Sequence, residues 1–151
     1  MIKKRFIATA AVALVVAAST VVSAPPAAAT PWWSITKIYF DSPGRDTGSN
    51  TSVNAEYVII RNNTTVTHAL TGYVLSDASS HRYTFGSYSL TPGAVVYVHT
   101  GKGTNSPHVR YWGLGYYIWN NTGDRATLRT GTGSFAASCS YTAANDPVKY
   151  C

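Results

Sequence analysis

Past Thr30 the chain shows no sustained helical period. Its apolar residues recur at every second position, in short runs that turn residues interrupt. In Val95-Val96-Tyr97-Val98-His99, residues 96 and 98 share one face and residues 95, 97 and 99 share the other. Such alternation is the pattern of a half-buried strand. Further strands are predicted at Ile35–Phe40, Glu56–Arg61, Ala69–Ser76, Arg82–Phe85, Ala94–Thr100, Tyr116–Trp119, Ala126–Arg129 and Ser134–Ser138. Thr91-Pro92-Gly93 suits a type II turn, with Pro fixing φ and Gly supplying the positive φ behind it. Asn121-Thr122-Gly123-Asp124 and Thr130-Gly131-Thr132-Gly133 are also turn-like. Seven to nine short strands separated in this way predict an all-β fold, a sandwich or barrel. The polar stretch Asp41–Asn54 has no periodicity and is read as an irregular loop, of a length that usually carries function or disorder.

The first residues have a different character. Lys3, Lys4 and Arg5 precede an uncharged apolar run from Ile7 to Val22, followed by Ala24-Pro25-Pro26-Ala27-Ala28-Ala29. A basic start, an apolar middle and small residues before a cleavage point describe a secretory signal peptide. Residues 1–29 are therefore expected to be removed after Ala29, with a second small-residue site after Ala24. A spanning helix needs roughly 20 strongly apolar residues. This run is shorter and rich in Ala and Thr, so the mature domain, residues 30–151, is expected to be secreted and not integral to a membrane. Three of the twelve basic residues belong to the leader, leaving nine against six acidic ones. So small an excess allows weak non-specific contact with anions and gives no strong nucleic-acid footprint.

Two cysteines, Cys139 and Cys151, lie near the C-terminal end. In an oxidising compartment the pair reads as a disulfide that holds Ser140–Tyr150 against the domain.

Ordered motifs carry a family resemblance. They run from Ile38-Tyr39-Phe40-Asp41-Ser42-Pro43-Gly44-x-Asp46 through Asn54-Ala55-Glu56-Tyr57-Val58-x-Ile60 and Leu70-x-Gly72-Tyr73-x-Leu75-x-Asp77 to His81-x-Tyr83-x-Phe85. They continue in Leu90-x-Pro92-Gly93, His99-Thr100-Gly101-x-Gly103-Thr104 and Trp119-Asn120-Asn121-x-Gly123-Asp124-x-Ala126-x-Leu128, and close on Cys139-Ser140-Tyr141. Together they span nearly all of the mature chain, which resembles lamin tail domains. The resemblance implies an immunoglobulin-like β-sandwich and says little about function. Tyr57 and Tyr73 stand where bacterial relatives often have Trp, and both are expected to serve as aromatic core residues.

The chemistry-bearing residues point towards binding. Gly101-Lys102-Gly103-Thr104 lacks the spacing of a phosphate loop and has no following helix. His68, His81, His99 and His108 make no metal-binding spacing. A triad built on His81 or His99 with Asp77 and some serine lacks a nucleophile elbow, and His99 reads as a hydrogen-bonded strand-end residue. Asp41 and Asp46, with Glu56 beyond, form a weak calcium candidate against which turn capping is favoured. The densest aromatic run, Tyr111-Trp112-Gly113-Leu114-Gly115-Tyr116-Tyr117-Ile118-Trp119, supplies the ligand candidates Tyr111, Trp112 and Tyr116, with Lys102 nearby. Trp119 is expected in the core, and Trp32-Trp33 is a second exposed-aromatic candidate.

The expectation is a monomeric, non-enzymatic interaction module that needs no cofactor. It would bind a protein or cell-envelope polymer through loops and exposed aromatics. A carbohydrate-binding module is the alternative, and a small secreted hydrolase the second alternative.

Overall fold

In the first strand, β1 (Trp33–Tyr39), the buried positions change parity partway along. Trp33 and Ile35 point inward, then Ile38 and Phe40, because a bulge between Ile35 and Lys37 inserts Thr36 as an unpaired extra residue. A one-residue insertion turns every later side chain to the other face of a sheet. Here it sends Lys37 and Tyr39 outward.

The computed structural model describes residues 31–142 and 146–151; the expected leader, residues 1–29, lies outside them. After β1 come a four-residue helix α1 (Asn50–Val53), β2 (Tyr57–Asn62), β3 (His68–Ala69), β4 (Val74–Ser76), β5 (Arg82–Thr84) and β6 (Ser89–Leu90). Then follow β7 (Val95–His99), β8 (Val109–Tyr111), β9 (Gly123–Arg129), β10 (Phe135–Thr142) and β11 (Val148–Tyr150). One sheet has the order β11-β1-β2-β7-β8, the other β10-β9-β4-β5, and β3 pairs with β6. The two larger sheets face each other as an immunoglobulin-like β-sandwich. All their pairings are antiparallel except β7 with β8.

The core is what the inward residues of both sheets make: Ile38, Val58, Ile60, Val96 and Val98 from one, Leu75, Phe85, Ala126, Leu128 and Tyr141 from the other. Trp33, Leu70, Leu90 and Trp119 are packed into the same cluster. The expected turn at 91–93 forms, with Gly93 at φ 67° and Ala94 N–H donating to the Thr91 carbonyl at 3.2 Å.

Several expected elements take another form. Ala69–Ser76 is broken by a turn in which Gly72 takes a φ of 79°. Tyr116–Trp119 is not a strand; the Ile118 N–H goes to a side chain and not to a ladder. The loop expected at 41–54 contains α1, whose first turn is capped by the Ser49 hydroxyl, accepting from Ser52 N–H at 3.3 Å. Strands β8 and β11 had no clear periodic signal, since each is only three residues long.

The disulfide joins Cys139 to Cys151 with their Cα atoms 6.0 Å apart. Cys139 lies on β10 of the four-stranded sheet, while Cys151 follows β11 of the five-stranded one. The bond therefore staples one sheet to the other. The Cys151 N–H also donates to the carbonyl of the bulge residue Thr36 at 3.0 Å.

Candidate functional site

Strand register sorts the outward side chains of the five-stranded sheet into rows. One row crosses all five strands as Val148, Tyr39, Tyr57, His99 and Tyr111. The next crosses as Tyr150, Lys37, Ile59, Tyr97 and Val109. The rings support one another: Tyr39 stacks on Tyr57 at 5.3 Å between centroids, and His99 on Tyr111 at 5.5 Å. Tyr57 also tilts against Tyr97 at 5.6 Å and His99 at 5.3 Å. Ile59 is 9% exposed yet stands outside the central core, so it is covered from the outer side by this layer.

Lys37 sits among the rings. Its ammonium lies 4.9 Å from the Tyr150 ring centre, 5.7 Å from Tyr57 and 5.9 Å from Tyr39. Burial works against its charge, but the Tyr57 hydroxyl, to which its ammonium donates at 3.4 Å, and the neighbouring Tyr150 outweigh this and raise its pKa. Lys37 thus stays cationic. None of the five strands contains an Asp or Glu; of their basic residues, Lys37 and Arg61 share the face of the rings, while Arg110 and Lys149 pair with the inward residues Val98 and Ile38 and belong to the other side.

The Tyr111 end of the rows is fixed by α1. Asn50 and Asn54 both donate to the Lys102 carbonyl, at 2.9 and 2.8 Å, and Asn50 accepts from the Lys102 N–H at 2.8 Å. His99 Nδ1 meets the Asn54 carbonyl at 2.6 Å, which is the strand-end hydrogen bond expected of it. Tyr111 then lies flush on Gly103, where any Cβ would run into the ring. The backbone of Gly101-Lys102-Gly103 is thereby committed to the fold and does not form a phosphate cradle.

Behind this end lies Glu56, only 1% exposed, whose carboxyl Oε2 accepts the Ile118 N–H at 3.1 Å. Burial pushes its pKa up to about 8, against the pull of the Ile118 and Trp119 amides and the Thr100 hydroxyl. That hydroxyl stands close by without making a formed hydrogen bond. Glu56 acts as a structural acid that anchors the segment before Trp119. It is not gathered with Asp41 and Asp46 into a calcium site: Asp41 is held by Asn121 at 3.0 Å, Asp46 is exposed, and no group of three His, Cys, Asp or Glu residues suited to a metal exists among the described residues.

The other candidates are dispersed. Trp112 is half-buried against the core, 5.8 Å from the Tyr83 ring and 6.2 Å from Trp119. Tyr116 is 51% exposed and stands 5.8 Å from His81, away from Tyr111. Lys102 projects from the clamped loop into solvent. Trp32 is exposed and stacks on His68 at 4.1 Å, whereas Trp33 and Trp119 are both core residues.

Asp77 and His81 do meet, with Nδ1 and Oδ2 2.5 Å apart. The same carboxylate accepts the His81 backbone N–H at 2.7 Å, which braces the β4–β5 turn around Ser80 at φ 75°. Among the described residues no serine hydroxyl is hydrogen-bonded to His81. The pair is a turn brace without a nucleophile.

Lys37, Tyr39, Tyr57, Tyr97 and Tyr150 were not among the candidates read from the sequence. Tyr57 in particular is an outward residue and not a core one, a correction to the sequence expectation. Tyr73 does pack against the core and edges onto Trp33 at 5.8 Å. The signal that points to the outer layer is the alternate spacing Lys37-x-Tyr39, Tyr57-x-Ile59-x-Arg61 and Tyr97-x-His99 on three runs of similar length.

No curated protein matches the chain. Residues 26–143 match the family described as Lamin Tail Domain, an immunoglobulin-like family that is generally non-enzymatic. With the sandwich, its core and its stapled end as described, the chain belongs to the lamin tail domain family.

Proposed function

We propose that this chain is an extracellular, non-enzymatic binding module that holds a component of the cell envelope on the ring-covered face of its five-stranded sheet. The observation that carries this reading is the double row of side chains from Tyr150 and Val148 to Tyr111 and Val109, rigid, half-exposed and free of acidic residues. Tyr and Arg are the residues that dominate binding energy at interfaces, since they bring large contact area with a polar end. The leader-like residues 1–29 and the disulfide support an oxidising, extracytoplasmic setting.

The test is co-sedimentation of the purified domain with envelope material from the producing organism, at low and high salt, beside a Tyr57→Leu, Tyr97→Leu variant. Retention that persists in high salt and is lost in the variant is the expected result. Retention that vanishes with salt and ignores the variant would reduce the interaction to general charge and sink the reading. A hydrolase reading rests only on the Asp77–His81 pair. It requires turnover of an ester, phosphodiester or glycoside that His81→Asn abolishes.

A further inference from the structure

We infer that the ring face is a binding site for a carboxylated polysaccharide, an extended chain of pyranose rings bearing uronate groups. This rests on the binding-module reading and names its ligand. Neighbouring strands lie about 4.8 Å apart, roughly the length of one pyranose, and five strands span about 19 Å. A row that crosses them therefore presents one side chain per sugar over several sugars. Tyr39, Tyr57 and Tyr111 in one row, and Tyr150 and Tyr97 in the next, offer apolar ring surface beside a hydroxyl that both donates and accepts. Sugars present the same alternation of C–H patches and hydroxyls.

Charge selects among polysaccharides. Lys37 stands inside the layer, and Arg61 is exposed on the same face beside Val95. No Asp or Glu on the five strands opposes them. A carboxylate on the sugar chain would find Lys37 within the rings, while a neutral glycan would leave that cation without a counter-charge. The face is a flat pair of side-chain rows; a recess of about 750 Å³ lies away from it, lined by Arg125, Thr127, Ser140 and Lys149 and by no residue of the two rows. An open face of this kind suits the side of a chain more than its end.

The experiment is affinity electrophoresis of the purified domain in native gels containing alginate, hydroxyethylcellulose or polyglutamate. Alginate should retard the domain strongly, with the other two polymers giving little effect. Lys37→Gln and Tyr57→Leu should each weaken alginate retention by about tenfold, the size of a central contact residue. Arg125→Gln with Lys149→Gln, in the polar recess, should change it less than about twofold. Circular dichroism and the melting temperature establish that each variant is folded. If Tyr57→Leu unfolds the domain, Tyr97→Leu takes its place.

Equal retardation by polyglutamate would overturn the inference in favour of an acidic peptide or general charge. Retardation by hydroxyethylcellulose that depends on Tyr57 but not on Lys37 would overturn the carboxylate requirement while leaving the ring face as the binding site. No retardation by alginate, with Tyr57-dependent envelope retention intact, would likewise overturn the ligand class alone. Loss of alginate retention only in the Arg125, Lys149 variant would move the site to the recess and overturn both readings.

Discussion

On the five-stranded sheet, the solvent-side positions of the central strands hold Lys37, Tyr39, Tyr57, Tyr97 and His99. On the four-stranded sheet, β9 and β10 place Arg125, Thr127, Arg129, Ser138, Ser140 and Thr142 outward. Both faces belong to the same sandwich and sit over the same core, so the fold does not require the difference. Short hydroxyls and separated arginines keep a sheet face wet and unattached. Contiguous rings that shield an isoleucine from water do the opposite, and such patches mark surfaces that meet something. The two faces also differ in how they end. Under the polar sheet, Asp124 accepts four N–H groups, from Ala78, Arg125 and both nitrogens of Asn120. Behind the ring sheet, the side chain of Glu56 accepts from Ile118 and is otherwise enclosed.

The sharpest way to separate these ends is pH. A carboxyl with an ordinary value of 4.5 that reaches about 8 in the folded protein binds a proton which the unfolded chain has already released. Stability is therefore highest below the window from about pH 4.5 to 8 and declines across it, by on the order of 4–5 kcal/mol for a shift of this size. Glu56→Gln should flatten that decline, raising the urea midpoint at pH 8.5 while leaving it nearly unchanged at pH 4.5. An unaltered pH slope in the variant would assign the decline to another group and remove the contrast between the two ends.

A smaller effect is expected from the staple. Cys139→Ser with Cys151→Ser should cost about 3 kcal/mol on the chain-entropy account. The loss should be uneven: amide exchange should quicken first at Lys149 and Tyr150, on an edge strand paired only with β1, and later in β9. Equal quickening in β9 would mean that the bond supports both faces alike.

The mildest test compares one residue from each face. Tyr57→Ala removes a ring in contact with three others and should cost about 2 kcal/mol. Thr127→Ala, half-buried among polar neighbours, should stay within about 0.5 kcal/mol. Matching losses in urea titrations would show that the rings are only a covering and not a packed layer.

The fold was legible in the sequence because its determinants are local. The parity of Val96 and Val98, the Pro92-Gly93 turn and the Cys139–Cys151 pair all appear at their expected places. The ring face was not, because it depends on which strands lie side by side. Tyr111 joins His99 through a parallel pairing across a connecting loop, and Tyr150 reaches Lys37 only because β11 returns beside β1. Tyr57 was misplaced for a further reason. It opens the apolar run Tyr57-Val58-Ile59-Ile60, which shows no alternation because both faces of that strand are covered, one by the core and one by rings. The aromatic run after Tyr111 was only partly legible: Trp119 lies in the core as expected, while the ligand candidate Trp112 packs half-buried against that core, where only tertiary contacts could assign it.

Thr36 gives β1 two reading frames. A strand is read in steps of two, and its upstream half places the odd-numbered residues Trp33 and Ile35 inside, while its downstream half places Ile38 and Phe40 there. Without the shift, the residues now lying at the centre of the ring face, Lys37 and Tyr39, would point into the core, and two core residues would face water. The extra residue is not idle, since its carbonyl takes the Cys151 N–H. One inserted threonine thus both sets the frame and gives the returning chain end a place to dock.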